Sequence, residues 1–309
     1  MIMVKGEIDG KKYKEPFSKG VLARSLTIAD MGSKKAYNLA RKIELKLIEN
    51  KISAISIEDL VELIIEFLEQ EDPVVAEKYK KWRKIRRSNE PLIILIGGAS
   101  GIGTSSIAFE LASRLGIKNM ISTDMIREVM RKIVSKDLSP VIHESSFNAY
   151  KGVRSPSLTV DPVVEGYIDH VDVVTVGIEA VIERALKEGI SIIIEGVHLV
   201  PGFINDDLIN KYNVIMFTLT LHDEEIHKGR FYSRCRQLWA RRPLQVYLDN
   251  FDSIRKTHDF LIDQAKIKNS ILIENIDVTQ TVDIMINDII EKYGGIINDK
   301  QESERNNDK

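Results

Sequence analysis

The stretch Leu92-Ile93-Ile94-Leu95-Ile96-Gly97-Gly98-Ala99-Ser100-Gly101-Ile102-Gly103-Thr104-Ser105-Ser106 decides the reading of this chain. Its apolar start suits a strand buried on both faces, glycines break the strand, and the helix formers Ile107-Ala108-Phe109-Glu110-Leu111-Ala112 follow at once. Strand, glycine loop and helix in that order make a phosphate-binding P-loop. Gly98, Gly101 and Gly103 let the backbone curl, so that N–H groups along Gly98, Ala99, Ser100, Gly101, Ile102, Gly103, Thr104, Ser105 and Ser106 turn toward phosphate oxygens. The positive end of the following helix adds to the attraction. Ser105 falls where the motif places the hydroxyl that ligates Mg²⁺. Thr104 stands where G-x-x-x-x-G-K-[ST] has its lysine; a threonine donates a hydrogen bond but brings no charge, so a cation must come from elsewhere. The spacing Gly98-x-x-Gly101-x-Gly103 is not that of a dinucleotide-binding loop.

Downstream, Leu115-Gly116 reads as a helix end and Ile117 to Ile121 as a second strand. Ser122-Thr123-Asp124-Met125-Ile126-Arg127-Glu128-Val129-Met130-Arg131 then opens a helix, with Thr123 or Asp124 able to cap it. Arg127 and Arg131, four apart, share a face near its start. A carboxylate at the C-terminal sheet edge beside two arginines suits an anionic acceptor: Asp124 to orient or deprotonate a hydroxyl, Arg127 and Arg131 to grip the charge. The irregular segment Ser135 to Asp169 carries Lys151 and Arg154 as further cations, while His143-Glu144 has no partner at a metal-binding spacing. A helix from Asp172 to Glu188 leads to the buried strand Ser191 to Gly196, which places Glu195 where P-loop enzymes keep a carboxylate near Mg²⁺, with His198 just beyond as a substrate contact.

Another strand, Asn213 to Thr220, precedes a basic helix from Asp223 to Trp239. That helix bears Lys228, Arg230, Arg234 and Arg236, with Arg241 and Arg242 after it. A lid of this kind would supply the charge that Thr104 withholds, through Arg230 and Arg234 above all. A long helical stretch over 244–267, a fifth strand over 270–274, a closing helix over 279–293 and a polar, unstructured tail over 296–309 complete the chain. Five strands alternating with helices imply an α/β fold with a doubly wound parallel five-stranded sheet over 88–295, which is similar to the sheet of small-molecule P-loop kinases.

Residues 1–87 form a domain of their own, small and mainly helical. Lys5 to Tyr13 alternates about Asp9-Gly10 as a hairpin would, Pro16-Phe17-Ser18 opens a helix, and amphipathic helices follow over 33–50 and 57–69, the second capped at Ser56. A last helix carries Val75, Tyr79 and Trp82 into the basic run Arg83 to Arg87. At Glu15-Pro16-Phe17-Ser18, Leu22…Ser25-Leu26 and Tyr79-x-x-Trp82-Arg83 this segment resembles the ATP-cone, which implies a regulatory nucleotide-binding module.

With 309 residues, a net charge of −2 and one cysteine, Cys235, the chain has no global attraction to nucleic acid and no disulfide framework. No apolar run reaches the roughly 20 residues that span a bilayer, so a cytoplasmic enzyme acting on a small molecule, with no membrane or nucleic-acid partner, is expected. Self-association is left open.

More narrowly, the chain resembles the archaeal 2-phosphoglycerate kinases. The motifs that carry this are Gly97-Gly98-Ala99-Ser100-Gly101-x-Gly103-Thr104-Ser105, Ser122-Thr123-Asp124-x-Ile126-Arg127-Glu128-x-Met130-Arg131 and Ile194-Glu195-Gly196-Val197-His198-Leu199-Val200-Pro201-Gly202. The resemblance implies transfer from ATP to 2-phosphoglycerate, giving 2,3-diphosphoglycerate, the precursor of a cyclic compound. Three alternatives stand beside it at this point: a kinase for another small acid, sugar or nucleoside, a non-catalytic nucleotide sensor, and a nucleic-acid kinase.

Overall fold

The computed structural model describes residues 2–8, 11–29, 31–87, 90–211, 213–236 and 243–307. The chain forms two compact units: Met1–Asn89 together with Ile286–Lys309, and Glu90–Met285. Among the described residues no helix is long and apolar enough to cross a membrane.

In the first unit, β1 (Met3–Ile8) pairs antiparallel with β2 (Lys11–Pro16), Met3 opposite Pro16. The turn expected at Asp9-Gly10 lies outside the described residues. The helices are α1 (Lys19–Thr27) and α2 (Ser33–Glu49), then α3 (Ile57–Glu71) and α4 (Pro73–Arg87). Helix α2 buries Ala36, Leu39, Ala40, Ile43 and Leu47 at the helical spacing that their pattern predicts. Ser56 caps α3, accepting from the Asp59 N–H at 3.0 Å. A third strand, β3 (Ala54–Ser56), pairs parallel with β1 and completes the order β2-β1-β3. The sequence reading has only the hairpin here. A three-residue strand with one buried side chain, Ile55, leaves no alternation to read.

The second unit is a five-stranded sheet. It contains β4 (Ile93–Gly97), α5 (Thr104–Leu115), β5 (Asn119–Ser122), α6 (Thr123–Ile133), two 3₁₀ turns (Val141–His143 and Ser146–Gly152) and α7 (Pro162–Glu188). After these come β6 (Ile192–Gly196), α8 (Asp206–Ile209), β7 (Val214–Thr220), α9 (Glu224–Cys235), α10 (Leu244–Leu248), α11 (Phe251–Ile267), β8 (Ile271–Glu274) and α12 (Val278–Asn307). The strand order is β5-β6-β4-β7-β8, and all four pairings are parallel. Every residue of β4 and β7 is buried, which is why both read as unbroken apolar runs. The C-terminal ends of β4, β5 and β6 lie side by side, with Ile96 in register with Glu195 and Glu195 with Ser122. That edge carries the candidate site.

Several boundaries differ from the sequence reading for local reasons. Helix α7 starts ten residues early by that reading, at Pro162 instead of Asp172. Pro162 reads as a loop breaker, yet behind a capping aspartate it opens the helix: Asp161 accepts from the Val163 and Val164 N–H groups at 2.9 and 3.4 Å. The stretch over 244–267 is two helices, parted at Asp249-Asn250. Helix α12 continues to Asn307 across the segment read as an unstructured tail, whose Lys, Gln, Glu and Arg are good helix formers. Its residues from Ile286 onward belong to the first unit. The C-terminal end of the basic helix, Trp239, and Arg241 and Arg242 fall outside the described residues.

Gly97 ends β4 where a Cβ would lie 2.2 Å from the Leu199 carbonyl oxygen. Since backbone cannot yield as a side chain can, Gly97→Ala is expected to cost about 2–3 kcal/mol, measured by urea denaturation.

Candidate active site

The loop after β4 curls through Gly101 (φ 86°) and Gly103 (φ 94°), both left-handed, and α5 begins at Thr104. Its first turn meets the end of β6. Thr104 Oγ1 donates to Glu195 Oε2 at 2.6 Å, and Ser105 Oγ to Glu195 Oε1 at 3.0 Å. Both oxygens of a carboxylate that is only 5% exposed are thus engaged. Burial raises the Glu195 carboxyl above its ordinary value; the two hydroxyls oppose this, the Asp124 charge adds to it and Arg234 offsets part of it. The expected phosphate donor Thr104 turns its hydroxyl to this carboxylate and is itself buried.

Helix α6 is capped by Ser122, which accepts from the Met125 N–H at 3.3 Å, and not by Thr123 or Asp124. This leaves the Asp124 carboxylate exposed, with Arg127 Nη2 at 3.5 Å. Arg127 is buried and its Nη1 donates to the Glu144 carbonyl at 3.0 Å, tying α6 to the loop that follows. Arg131 pairs with Glu128 at 2.8 Å. Lys151 and Arg154 are exposed on the same loop, Lys151 above the Tyr150 ring.

His198 is not a substrate contact. Its ring is 0% exposed, with Nδ1 2.7 Å from Thr123 Oγ1 and Nε2 3.0 Å from Nε2 of His170, against which it stacks. The reason is local: the chain turns back beneath α6 at Gly196, whose φ of 137° and closeness to Thr123 admit no side chain. His198 therefore sits under α6, bonded to Thr123. Burial, then the Arg127 charge, pushes His198 down to about 3. His170 lies well below its ordinary value too, through burial first and then the neighbouring imidazole. Both folded values are depressed, so the unfolded chain takes up protons that the folded chain refuses. Stability is full above the ordinary value of 6.5 and falls as the pH drops from there toward about 3. His198→Gln is expected to make that fall shallower by up to about 1.4 kcal/mol per pH unit, read from urea midpoints at a series of acid pH values.

Helix α9 faces the loop with residues three and four apart. His227 Nε2 lies 2.8 Å from the Ser100 carbonyl. Arg230 is not a free lid cation: Nη1 donates to the Ile102 carbonyl of the loop, and Nη2 to the carbonyls of Asn275 and Ile276. Half-buried, this guanidinium satisfies its donors on backbone oxygens. Arg234, one turn further, is exposed and rests near the Tyr247 ring, 5.7 Å from its centroid. A cleft of about 590 Å³ opens between the loop, α9 and the turn from β8 into α12, lined among others by Gly103, Ser105, Arg230, Arg234, Asn275 and Asp277. The structure thus brings together the loop, Ser105, Glu195, Asp124 and Arg234. His227 and Asn275 escape the sequence reading. His227 sits three residues before Arg230 on the same face, a signal that was available; Asn275 follows a short strand with nothing to single it out.

Over 287 residues, 93% of this chain and 94% of the other, it is 63% identical to the 2-phosphoglycerate kinase of Methanothermobacter thermautotrophicus. The chain belongs to the 2-phosphoglycerate kinase family. The 2-phosphoglycerate kinases of Methanocaldococcus jannaschii, at 44% identity over 94% of this chain and 93% of theirs, and of Pyrococcus horikoshii, at 39% over 92% of each, extend the match. Residues 7–88 match the ATP cone domain family. The chain is a small-molecule kinase that uses ATP.

Proposed function

We propose that this member of the 2-phosphoglycerate kinase family transfers the γ-phosphoryl group of ATP to the 3-hydroxyl of 2-phosphoglycerate, giving 2,3-diphosphoglycerate toward its cyclic derivative. The observation that carries the reading is the meeting of P-loop and α6 at the end of β6: Thr104 and Ser105 bond Glu195 directly, and Glu195 lies in register with Ser122, the cap of the helix that bears Asp124.

The loop amides from Gly98 to Ser106 hold the β- and γ-phosphates. Asp124 orients the 3-hydroxyl and takes its proton as the hydroxyl oxygen bonds to the γ-phosphorus. The bond from that phosphorus to the bridging oxygen breaks in line, and ADP leaves with the electron pair. Arg127 and Arg131, aided by Lys151 or Arg154, grip the phosphate and carboxylate of the acceptor. Arg234 faces the transferring group.

Mg²⁺ fits the donors present. Ser105 Oγ and Glu195 Oε1 offer two hard oxygens 3.0 Å apart, and among the described residues no set of three or more His, Cys, Asp or Glu builds a full cage. That suits an ion held mainly by phosphate and water. Bound there, it would neutralise charge on the phosphates. The ATP cone match supports nucleotide binding by the front unit as a regulatory input.

The test is coupled ADP release with Mg-ATP and, separately, 2-phosphoglycerate, 3-phosphoglycerate and glycerate. Release is expected only with 2-phosphoglycerate, and Asp124→Ala is expected to lower it about a hundredfold. Silence with all three acceptors despite ATP binding would overturn the reading in favour of a nucleotide sensor.

A further inference from the structure

A P-loop binds phosphate only if its carbonyls turn away. An oxygen lone pair aimed into the cradle repels a phosphate as an N–H attracts it. In this protein two loop carbonyls are held by side chains from outside the loop. Ser100 O meets His227 Nε2 at 2.8 Å, and Ile102 O accepts from Asn275 Nδ2 at 2.7 Å and from Arg230 Nη1. The two carbonyls bracket Gly101, the first left-handed position of the loop.

The holders are themselves fixed. A carbonyl accepts only, so His227 carries its hydrogen on Nε2. Its ring is fully buried, stacked on Phe231 at 5.3 Å and set edge-on to Phe251. Asn275 is 1% exposed, and its amide has one sense. Thr281 Oγ1 donates to Oδ1 at 3.1 Å, and the Asn275 N–H donates to the Thr220 carbonyl at 2.8 Å, so Nδ2 is left for the loop. The loop glycines make room for these holders. A Cβ on Gly101 would lie 2.5 Å from the Phe231 ring and 2.9 Å from His227 Nε2, and one on Gly103 would lie 3.0 Å from Asn275 Nδ2.

We propose that His227 and Asn275 are positioning residues of the ATP site, which hold the Ser100 and Ile102 carbonyls outward so that the loop amides face the phosphates. The clamp gives the loop a fixed shape where the motif's lysine is absent and Thr104 is turned to Glu195. It acts on ATP and not on the acceptor, because both holders approach the loop from α9 and the β8–α12 turn, whereas the acceptor residues stand on α6. The inference rests on the reading of Gly98–Ser106 as the ATP phosphate site.

The test is steady-state kinetics of the full chain, with thermal melting to confirm that each variant is folded. Asn275→Asp keeps shape and the acceptor for Thr281 but sets an oxygen against the Ile102 carbonyl. His227→Phe keeps the ring and loses the donor, and His227→Gln restores a donor amide. The expected result is a rise of about tenfold or more in KM for ATP in the first two, with KM for 2-phosphoglycerate within twofold of wild type, and recovery in His227→Gln. Should Asn275→Asp not fold, the histidine pair decides alone. Unchanged KM for ATP in folded His227→Phe overturns the clamp, as does an equal rise in both KM values. Gly101→Val separates the levels: if it too leaves ATP kinetics intact, the loop is not the ATP site and the underlying reading falls with the clamp. If it abolishes ATP use while the other variants do not, the clamp alone falls.

Discussion

Glu195→Gln is expected to lower kcat by about three orders of magnitude while the fold keeps or gains stability. The substitution preserves shape. Thr104 and Ser105 approach the carboxylate from 2.6 and 3.0 Å through hydroxyls, which can turn from donating to accepting when one oxygen becomes an amide nitrogen. What disappears is the negative charge. In the unliganded protein that charge is a burden: it is buried, its carboxyl is raised above its ordinary value by desolvation, and the nearby Asp124 worsens this. Only a bound cation or the charge arrangement of the reaction could repay it. A residue kept for packing would show the opposite pairing, activity retained and stability lost. The measurement is kcat at saturating ATP and acceptor, with the thermal midpoint of the same preparation. A kcat within tenfold of wild type would take Glu195 out of the phosphoryl-transfer site.

The sheet and half of this site can be read from the chain because both are local in sequence. An apolar strand, a glycine loop and a helix start announce themselves within fifteen residues, and a carboxylate directly after an apolar run marks the end of β6. Where legibility fails, the deciding contact is distant in sequence. Arg230 is easily seen as a basic residue on a basic helix, but its partners are carbonyls at Ile102, Asn275 and Ile276, and no side-chain pattern marks a carbonyl. His198 is three residues from Glu195, which suggests a shared cleft. The turn at Gly196 instead sends its ring beneath α6, against a histidine 28 residues away. Asn275 has the least signal of all, since its role comes from Ile102, 173 residues earlier. Pro162 fails differently: the residue type reads correctly as a helix breaker, and only the aspartate before it turns it into a helix start.

Arg234→Ala is expected to lower kcat by about a hundredfold to a thousandfold with little change in the melting temperature. The site has no lysine at position 104, Arg230 is bonded to backbone carbonyls, and Arg234 is the exposed arginine lining the same cleft. It shares that cleft with Ser105, whose hydroxyl bonds Glu195. The Tyr247 ring beside Arg234 makes a contact too weak to hold the fold. Phosphoryl transfer depends on neutralising charge that builds on the transferring group, so the loss should appear in kcat, with KM for ATP moving less. Arg230→Ala should behave in the reverse way, with a lower melting temperature and a raised KM for ATP, because it removes a brace between α9, the loop and the β8–α12 turn. Arg234→Lys separates charge from shape: a lysine restores the cation but not the forked donors, so partial recovery would show that both count. Full turnover in Arg234→Ala, in a preparation where Glu195→Gln is inactive, would mean that α9 lends the reaction no charge and that its arginines serve only to shape the loop.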